Sequence, residues 1–115
     1  MDDAIGLASR LGKAIAANPL FGKLRDVEKQ VSEDPKAQEL VKSYGEQMEK
    51  IRRLESELKP VEVADKHLLD ELHGHVASHP VLKELARAQA DFADFMNRVN
   101  RAIDRELMPV SDAPD

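Results

Sequence analysis

The chain contains no cysteine and no tryptophan, and aromatic side chains make up only 3% of its 115 residues. Without thiols it cannot form a disulfide, use a catalytic thiolate or hold an iron–sulfur cluster through cysteine. With so few aromatic rings, the apolar interior consists mainly of Leu, Ile, Val, Ala and Met, a composition that suits helices packed on helices. These absences exclude thiol chemistry and favour a helical core.

Long apolar segments are absent as well. No run approaches the roughly 20 apolar residues that cross a bilayer, and two aspartates follow Met1, unlike the start of a signal peptide. The formal net charge of −5 opposes general binding to nucleic acid, which requires a basic face. We therefore expect a cytoplasmic protein that does not bind membrane, and we do not expect it to bind nucleic acid.

What the sequence does contain is helical periodicity. The longest pattern covers residues 80–107, where apolar residues recur at steps of three, four and seven along one face: Leu82, Leu85, Phe92, Met96, Val99, Ile103 and Leu107. Four shorter patterns precede it: one from residue 2 or 3 to residue 17, and three at residues 19–32, 35–58 and 63–77. The first has a stripe of Leu7, Leu11 and Ile15. No segment alternates with period two, so no strand is predicted.

Helix boundaries follow from local chemistry. Three joints pair a polar residue with proline and predict helix starts, since such residues cap helices and proline suits the first turn: Asn18-Pro19, Asp34-Pro35 and His79-Pro80. Pro60 is expected to end the third helix. Along that helix, two ion pairs four residues apart are predicted, Glu46–Lys50 and Glu49–Arg53.

The predicted fold class is all-α, an elongated bundle of five helices. Its two long helices, residues 35–58 and 80–107, are expected to be antiparallel and packed against each other. We expect one helical domain over residues 1–107 and a flexible tail over residues 108–115. A small, elongated chain buries a modest share of its surface, so an oligomer is also expected.

The last helix has an apolar face that is wider than one neighbour covers. Phe95 lies beside the Phe92/Met96 stripe, and alanines widen it further. The interface candidates for a homodimer or higher oligomer, or for another protein, are therefore Leu85, Ala88, Phe92, Phe95, Met96, Val99 and Ala102.

Four histidines, His67, His73, His75 and His79, invite a metal hypothesis. Only Glu71 and His75 share a helix face, and two ligands are fewer than a structural metal site uses. We therefore expect no metal and no cofactor. A metal- or small-ligand-binding module on the fourth helix, completed across an interface, is the alternative function.

Other polar groups show no catalytic pattern. The stripe Arg98, Arg101 and Arg105 is a docking patch for an acidic partner or RNA in one interpretation, and a solvated face in the one that the net charge favours. There is no nucleophile elbow and no Gly-rich phosphate loop. We predict a protein without enzymatic activity.

Three pieces of the chain carry a family resemblance. The first is the opening with Leu7, Leu11 and Ile15 before Asn18-Pro19-Leu20-Phe21. The second is Asp34-Pro35 followed by a Gln- and Glu-rich helix. The third is His79-Pro80-Val81-Leu82 followed by Ala88-Gln89-Ala90-Asp91-Phe92 and closing in residues 99–103. Over residues 4–107 the chain resembles the YlbF/YmcA family of small helical bacterial regulators, in the group with YheA-like proteins.

The resemblance implies an all-helical fold that forms dimers or mixed oligomers, with no known enzyme chemistry. It implies an adaptor in complexes that influence competence, biofilm formation, sporulation and messenger-RNA processing. Some members are linked to iron–sulfur clusters, and this chain departs from them because it has no cysteine.

Overall fold

The computed structural model describes residues 3–108, which form five α-helices and no strand. The helices are α1 (Asp3–Ala16), α2 (Pro19–Ser32), α3 (Pro35–Ser56), α4 (Val63–Ser78) and α5 (Pro80–Leu107). The all-α, five-helix prediction is confirmed, with boundaries within two residues of those expected. Of the predicted tail, Met108 follows α5 directly and residues 109–115 lie outside the described part.

The three polar residues before proline act as N-caps. Asn18 Oδ1 accepts a hydrogen bond from the Leu20 amide at 2.8 Å, and Asp34 Oδ1 accepts one from the Ala37 amide at 3.0 Å. At the start of α5, His79 Nδ1 is the acceptor, 3.5 Å from the Leu82 amide nitrogen. Each bond satisfies an amide that the first turn of a helix leaves without a partner.

Helix α3 ends at Ser56, two residues earlier than predicted. The Leu58 amide donates to the Glu55 carbonyl at 3.1 Å, and the Lys59 amide donates to the Leu54 carbonyl at 2.8 Å. This pair of bonds is a Schellman motif, which places the residue after the cap in the left-handed region. Leu58 has a φ of 58°, so the helical conformation already ends before Pro60. The Schellman motif, and not the proline, ends α3.

The chain contacts divide into two compact units, one of residues 26–86 and the other of residues 1–25 with 87–115. In the first unit, a core forms where α2, α3 and the start of α5 meet. It contains Val31, Ala37, Leu40 and Leu82, with Val76, Val81 and Leu85 packed against it.

Within residues 26–86, α3 and α4 form an antiparallel hairpin. Tyr44 meets His73 and Gln47 meets Asp65, so positions that advance along α3 face positions that recede along α4. The helix packed along α3 is therefore α4, whereas the sequence suggested α5. The short connection of residues 57–62 explains this, because helices joined by a few residues pack as neighbours. Among residues 26–86, α5 contributes Leu82 and Leu85 to the core.

The second unit contains α1, the first turns of α2 and most of α5. Its described contacts include a pair of tilted rings, Phe21 on α2 and Phe92 on α5, whose centroids are 5.6 Å apart. No residue of α1 is buried. Across residues 3–108, no helix combines the length and apolar character needed to cross a membrane.

Candidate interaction surfaces

Two of the predicted interface residues are aromatic, and both contact rings of their own chain. The Phe92 ring packs at a tilt against the Phe21 ring, and the ring centroids of Phe95 and Phe92 are 6.1 Å apart. The Arg25 guanidinium lies 5.7 Å from the centre of the Phe21 ring, within cation–π range. Phe92 and Phe95 are each half-buried, so part of each ring is accessible to another molecule.

The other interface candidates divide by position along α5. Leu85 is half-buried and packs on the core of residues 26–86, and Ala88 is only 4% exposed. The chain itself therefore covers most of Ala88 and part of Leu85. Met96 and Val99 are half-buried, and Ala102 is exposed. The surface that α5 can still offer therefore lies from Phe92 onward, and its role in association is a proposal that we develop below.

The apolar stripes of α1 and α5 become more exposed toward one end of each helix. On α5, half-buried Val99 is followed by Ile103 at 44% exposure and Leu107 at 76%. On α1, half-buried Ile15 is preceded by Leu11 at 37% and Leu7 at 57%. The sequence showed both stripes, but periodicity alone does not reveal which part of a stripe is left uncovered.

The arginine stripe of α5 lies on the opposite side of the helix from the apolar stripe. At 100° per residue, Arg98, Arg101 and Arg105 project about 120–180° away from Met96 and Leu107. All three arginines are exposed. Residues 1–25 and 87–115, which make up this unit, contain eight basic and eight acidic residues, so the formal net charge of −5 comes from residues 26–86. The net charge of the whole chain is therefore no argument against an acidic partner at this stripe.

The four histidines do not converge. His73 Nδ1 lies 3.3 Å from the Tyr44 hydroxyl, and His79 Nε2 lies 3.5 Å from Asp34 Oδ2. His67, His75 and Glu71 are exposed on α4. Within residues 3–108, no three His, Cys, Asp or Glu side chains are placed to hold a metal ion together. The pair Glu71 and His75 thus gains no third ligand from the described chain.

A polar contact that the sequence did not suggest joins α3 to α4. Gln47 is only 7% exposed, and its side-chain amide donates to the Asp65 carbonyl at 2.9 Å. Lys50 Nζ lies 2.8 Å from Asp65 Oδ1. The hydrogen bond from Lys50, with its positive charge, lowers the pKa of the Asp65 carboxyl. A glutamine within an apolar stripe is the signal that could have indicated this contact.

The two predicted ion pairs along α3 are replaced by others. Lys50 pairs with Asp65 instead of Glu46, because α4 brings a less exposed carboxylate within reach. Glu49 pairs with Arg52 at 2.6 Å instead of with Arg53. Their hydrogen bond lowers the pKa of Glu49 and raises the pKa of Arg52. Both of these side chains are well exposed, so the pair contributes little to stability.

The α3–α4 hairpin has an open groove of about 470 Å³. Both apolar and charged side chains line it, and the lining residues are Gly45, Met48, Glu49, Ile51, Arg52, Glu55 and Leu69. Met48 is 49% exposed. At the tip of the same hairpin, Leu58 is 92% exposed and Val63 is 68% exposed. The hairpin thus presents apolar side chains at its groove and at its tip.

The chain is similar to a known family in sequence and to a solved structure in fold. A family model described as "Control of competence regulator ComK, YlbF/YmcA" matches residues 5–108. No curated protein matches the chain by sequence. Among solved structures, the chain is similar to one chain of the X-ray crystal structure of Bacillus subtilis RicA in complex with RicF. The TM-score is 0.77 with 14% sequence identity, and the match covers 91% of this chain and 93% of that one.

Proposed function

The chain belongs to the YlbF/YmcA family, whose description is control of the competence regulator ComK, and from this premise we propose that it is a non-enzymatic regulatory adaptor. It acts by binding other proteins through helix faces and through the tip of the α3–α4 hairpin, without a covalent step. The solved structure with a similar fold is itself a complex of two proteins, RicA and RicF, which supports this mode of action. We propose the cytoplasm as the place where it acts.

The observation that carries the proposal is the conformation of Leu58. A leucine in the left-handed region has its Cβ close to the following carbonyl, which costs roughly 1–2 kcal/mol, and glycine is the usual residue there. The side chain gains nothing in return from its own chain, since it is 92% exposed. Strain of this kind occurs at functional positions. An exposed leucine in the connection that leads to exposed Val63 suits contact with an apolar pocket of a partner.

The interface candidates on α5 extend this proposal. Phe95, Met96 and Val99 keep part of their apolar surface accessible, and Ala102 is exposed. We propose that they add to the contact with a second copy or with another protein. A metal-binding role for Glu71 and His75 is not developed, because no arrangement of ligands in the described chain favours it.

The test uses the host bacterium without its own copy of the gene. A tagged wild-type chain is expected to restore competence and to recover one or more specific proteins by quantitative mass spectrometry. Leu58→Asp and Val63→Asp are expected to lose both effects while the purified variants keep their helical circular dichroism. Glu57→Gln, a neighbouring change without loss of apolar surface, is the control. If both Asp variants restore competence and recover the same proteins as wild type, the hairpin tip has no such role.

A further inference from the structure

We infer that a second copy of this chain covers α1: in the dimer, α1 of each copy lies antiparallel on the last turns of α5 of the other. The surface on α1 is the α1 stripe, Leu7 and Leu11, and the surface on α5 is the α5 end stripe, Ile103 and Leu107. This inference rests on the proposed function, since it names one partner of the adaptor and the faces that meet.

The first support is that α1 has little cover from its own chain. It has 14 residues, none of them buried. Isolated helices shorter than about 12–15 residues are marginal in water, and most helices in proteins are stabilised by packing an amphipathic face. The α1 stripe is such a face, yet Leu7 and Leu11 are 57% and 37% exposed. A helix of this kind requires a partner face of similar length.

The α5 end stripe is also poorly covered by its own chain. Ile103 is 44% exposed and Leu107 is 76% exposed, although α5 is buried at Ala88 and half-buried at Val99. Ile103 and Leu107 are four residues apart, as are Leu7 and Leu11. The two stripes therefore match in spacing, which is the condition for two helices to interdigitate side chains.

The charges beside the two stripes are opposite and occupy equivalent positions. Residues 7–11 read Leu-Ala-Ser-Arg-Leu, and residues 103–107 read Ile-Asp-Arg-Glu-Leu. In both, the fourth position flanks the apolar pair, and it is Arg10 in α1 and Glu106 in α5. Equivalent flanks face each other when two helices pack antiparallel, so Arg10 of one copy would meet Glu106 of the other. Neither side chain has an ion-pair partner within residues 3–108.

Charge complementarity also identifies the occupant as a second copy. Both complementary faces belong to the same chain, so two copies related by a two-fold axis satisfy both at once and in reciprocal contacts. Such an interface contains the Arg10–Glu106 pair twice, and every change in it acts twice. An unrelated partner would need one surface that complements the α1 stripe with Arg10 and another that complements the α5 end stripe with Glu106.

The experiment is sedimentation velocity on the full chain from about 1 to 200 μM. Wild type is expected to be a dimer at the upper concentrations. Arg10→Glu and Glu106→Arg are each expected to raise the dissociation constant by about tenfold or more, because like charges then face each other at two places. The double variant, in which the charges are exchanged, is expected to return within about threefold of wild type. Restoration by the exchange separates a direct pair from a general loss of stability.

Lys13→Glu is the matched control, because it makes the same charge change on α1 at a position turned away from the α1 stripe. It is expected to alter the dissociation constant by less than about threefold. A monomer at 200 μM, single variants that bind like wild type, or a double variant as weak as the singles would each overturn the inference.

The sedimentation experiment and the host experiment can fail independently of each other. If the chain is monomeric but still restores competence and recovers specific proteins in its host, the adaptor role stands and the second copy is wrong. If Arg10→Glu loses a recovered protein in the host while the purified chain stays monomeric, that protein occupies α1, and the inference of a second copy is again overturned. A dimer with the expected charge exchange, in a host where the chain has no effect on competence, supports the interface and removes the regulatory role.

Discussion

Asp34 and His79 begin two different helices and contact each other. Asp34 Oδ1 caps α3 while Asp34 Oδ2 lies 3.5 Å from His79 Nε2. His79 Nδ1 caps α5 at the same time. Because Nδ1 accepts the Leu82 amide proton, the ring proton of neutral His79 is on Nε2, directed at the carboxylate. One contact thus joins the starts of α3 and α5 at the edge of the core that contains Ala37 and Leu82.

This arrangement predicts the effect of removing the Asp34 carboxylate. Asp34→Ala is expected to lower the free energy of unfolding by about 1–2 kcal/mol, because the Ala37 amide loses its acceptor. Asp34→Asn keeps an oxygen for the cap and loses only the charge beside His79, so its loss is expected to be smaller. Urea unfolding followed by circular dichroism measures both. Equal losses for the two variants would assign the effect to the contact with His79 and not to the cap.

A second prediction concerns Leu58. Leu58→Gly is expected to raise the free energy of unfolding by about 1 kcal/mol, since glycine adopts a positive φ without a steric cost. Leu58→Ala keeps the Cβ and is the control, with a change expected near zero because the rest of the side chain is 92% exposed. Thermal and urea unfolding give the comparison. If glycine gives no gain over alanine, the left-handed conformation at Leu58 is not strained.

A third prediction follows from the lowered pKa of Asp65. A carboxyl whose pKa is lower in the folded chain stabilises the fold at pH values above its unfolded pKa, about 3.8, and this contribution disappears as pH falls through the folded pKa. Lys50→Met is therefore expected to be less stable than wild type above about pH 5, with the difference shrinking toward pH 2. Urea midpoints across this range measure it. Lys42→Met, an exposed lysine of the same helix, is expected to show a smaller and flatter difference.

A fourth prediction tests Phe95 as an interface residue. Phe95→Asp is expected to weaken association, because a carboxylate replaces apolar surface that is still accessible, and to reduce stability, because the ring also contacts Phe92. Phe95→Leu keeps an apolar side chain and is expected to retain association. Size-exclusion chromatography with light scattering, alongside urea unfolding, separates the two effects. If stability falls while association is unchanged, Phe95 is an ordinary core residue.

Local chemistry allowed the helices to be predicted from the sequence alone. Asn18, Asp34 and His79 each start a helix by a hydrogen bond to an amide two or three residues away, and periodic apolar residues define the face to be buried. These interactions join residues within one or two turns, so the pattern of neighbours along the chain determines them. The all-α class and the boundaries of α2 and α5 were predictable for this reason.

Only the tertiary structure decided which faces meet. The apolar stripe of α3 is compatible with α4 or α5 as its neighbour, and the spacing of Lys50 permits Glu46 as well as Asp65 as a partner. The choice depends on how chain segments far apart in sequence approach, and on how much apolar surface each arrangement removes from water. The same packing of segments that are far apart in sequence leaves Leu7 and Leu107 exposed while it buries Leu40 and Leu82, although all four lie on apolar stripes.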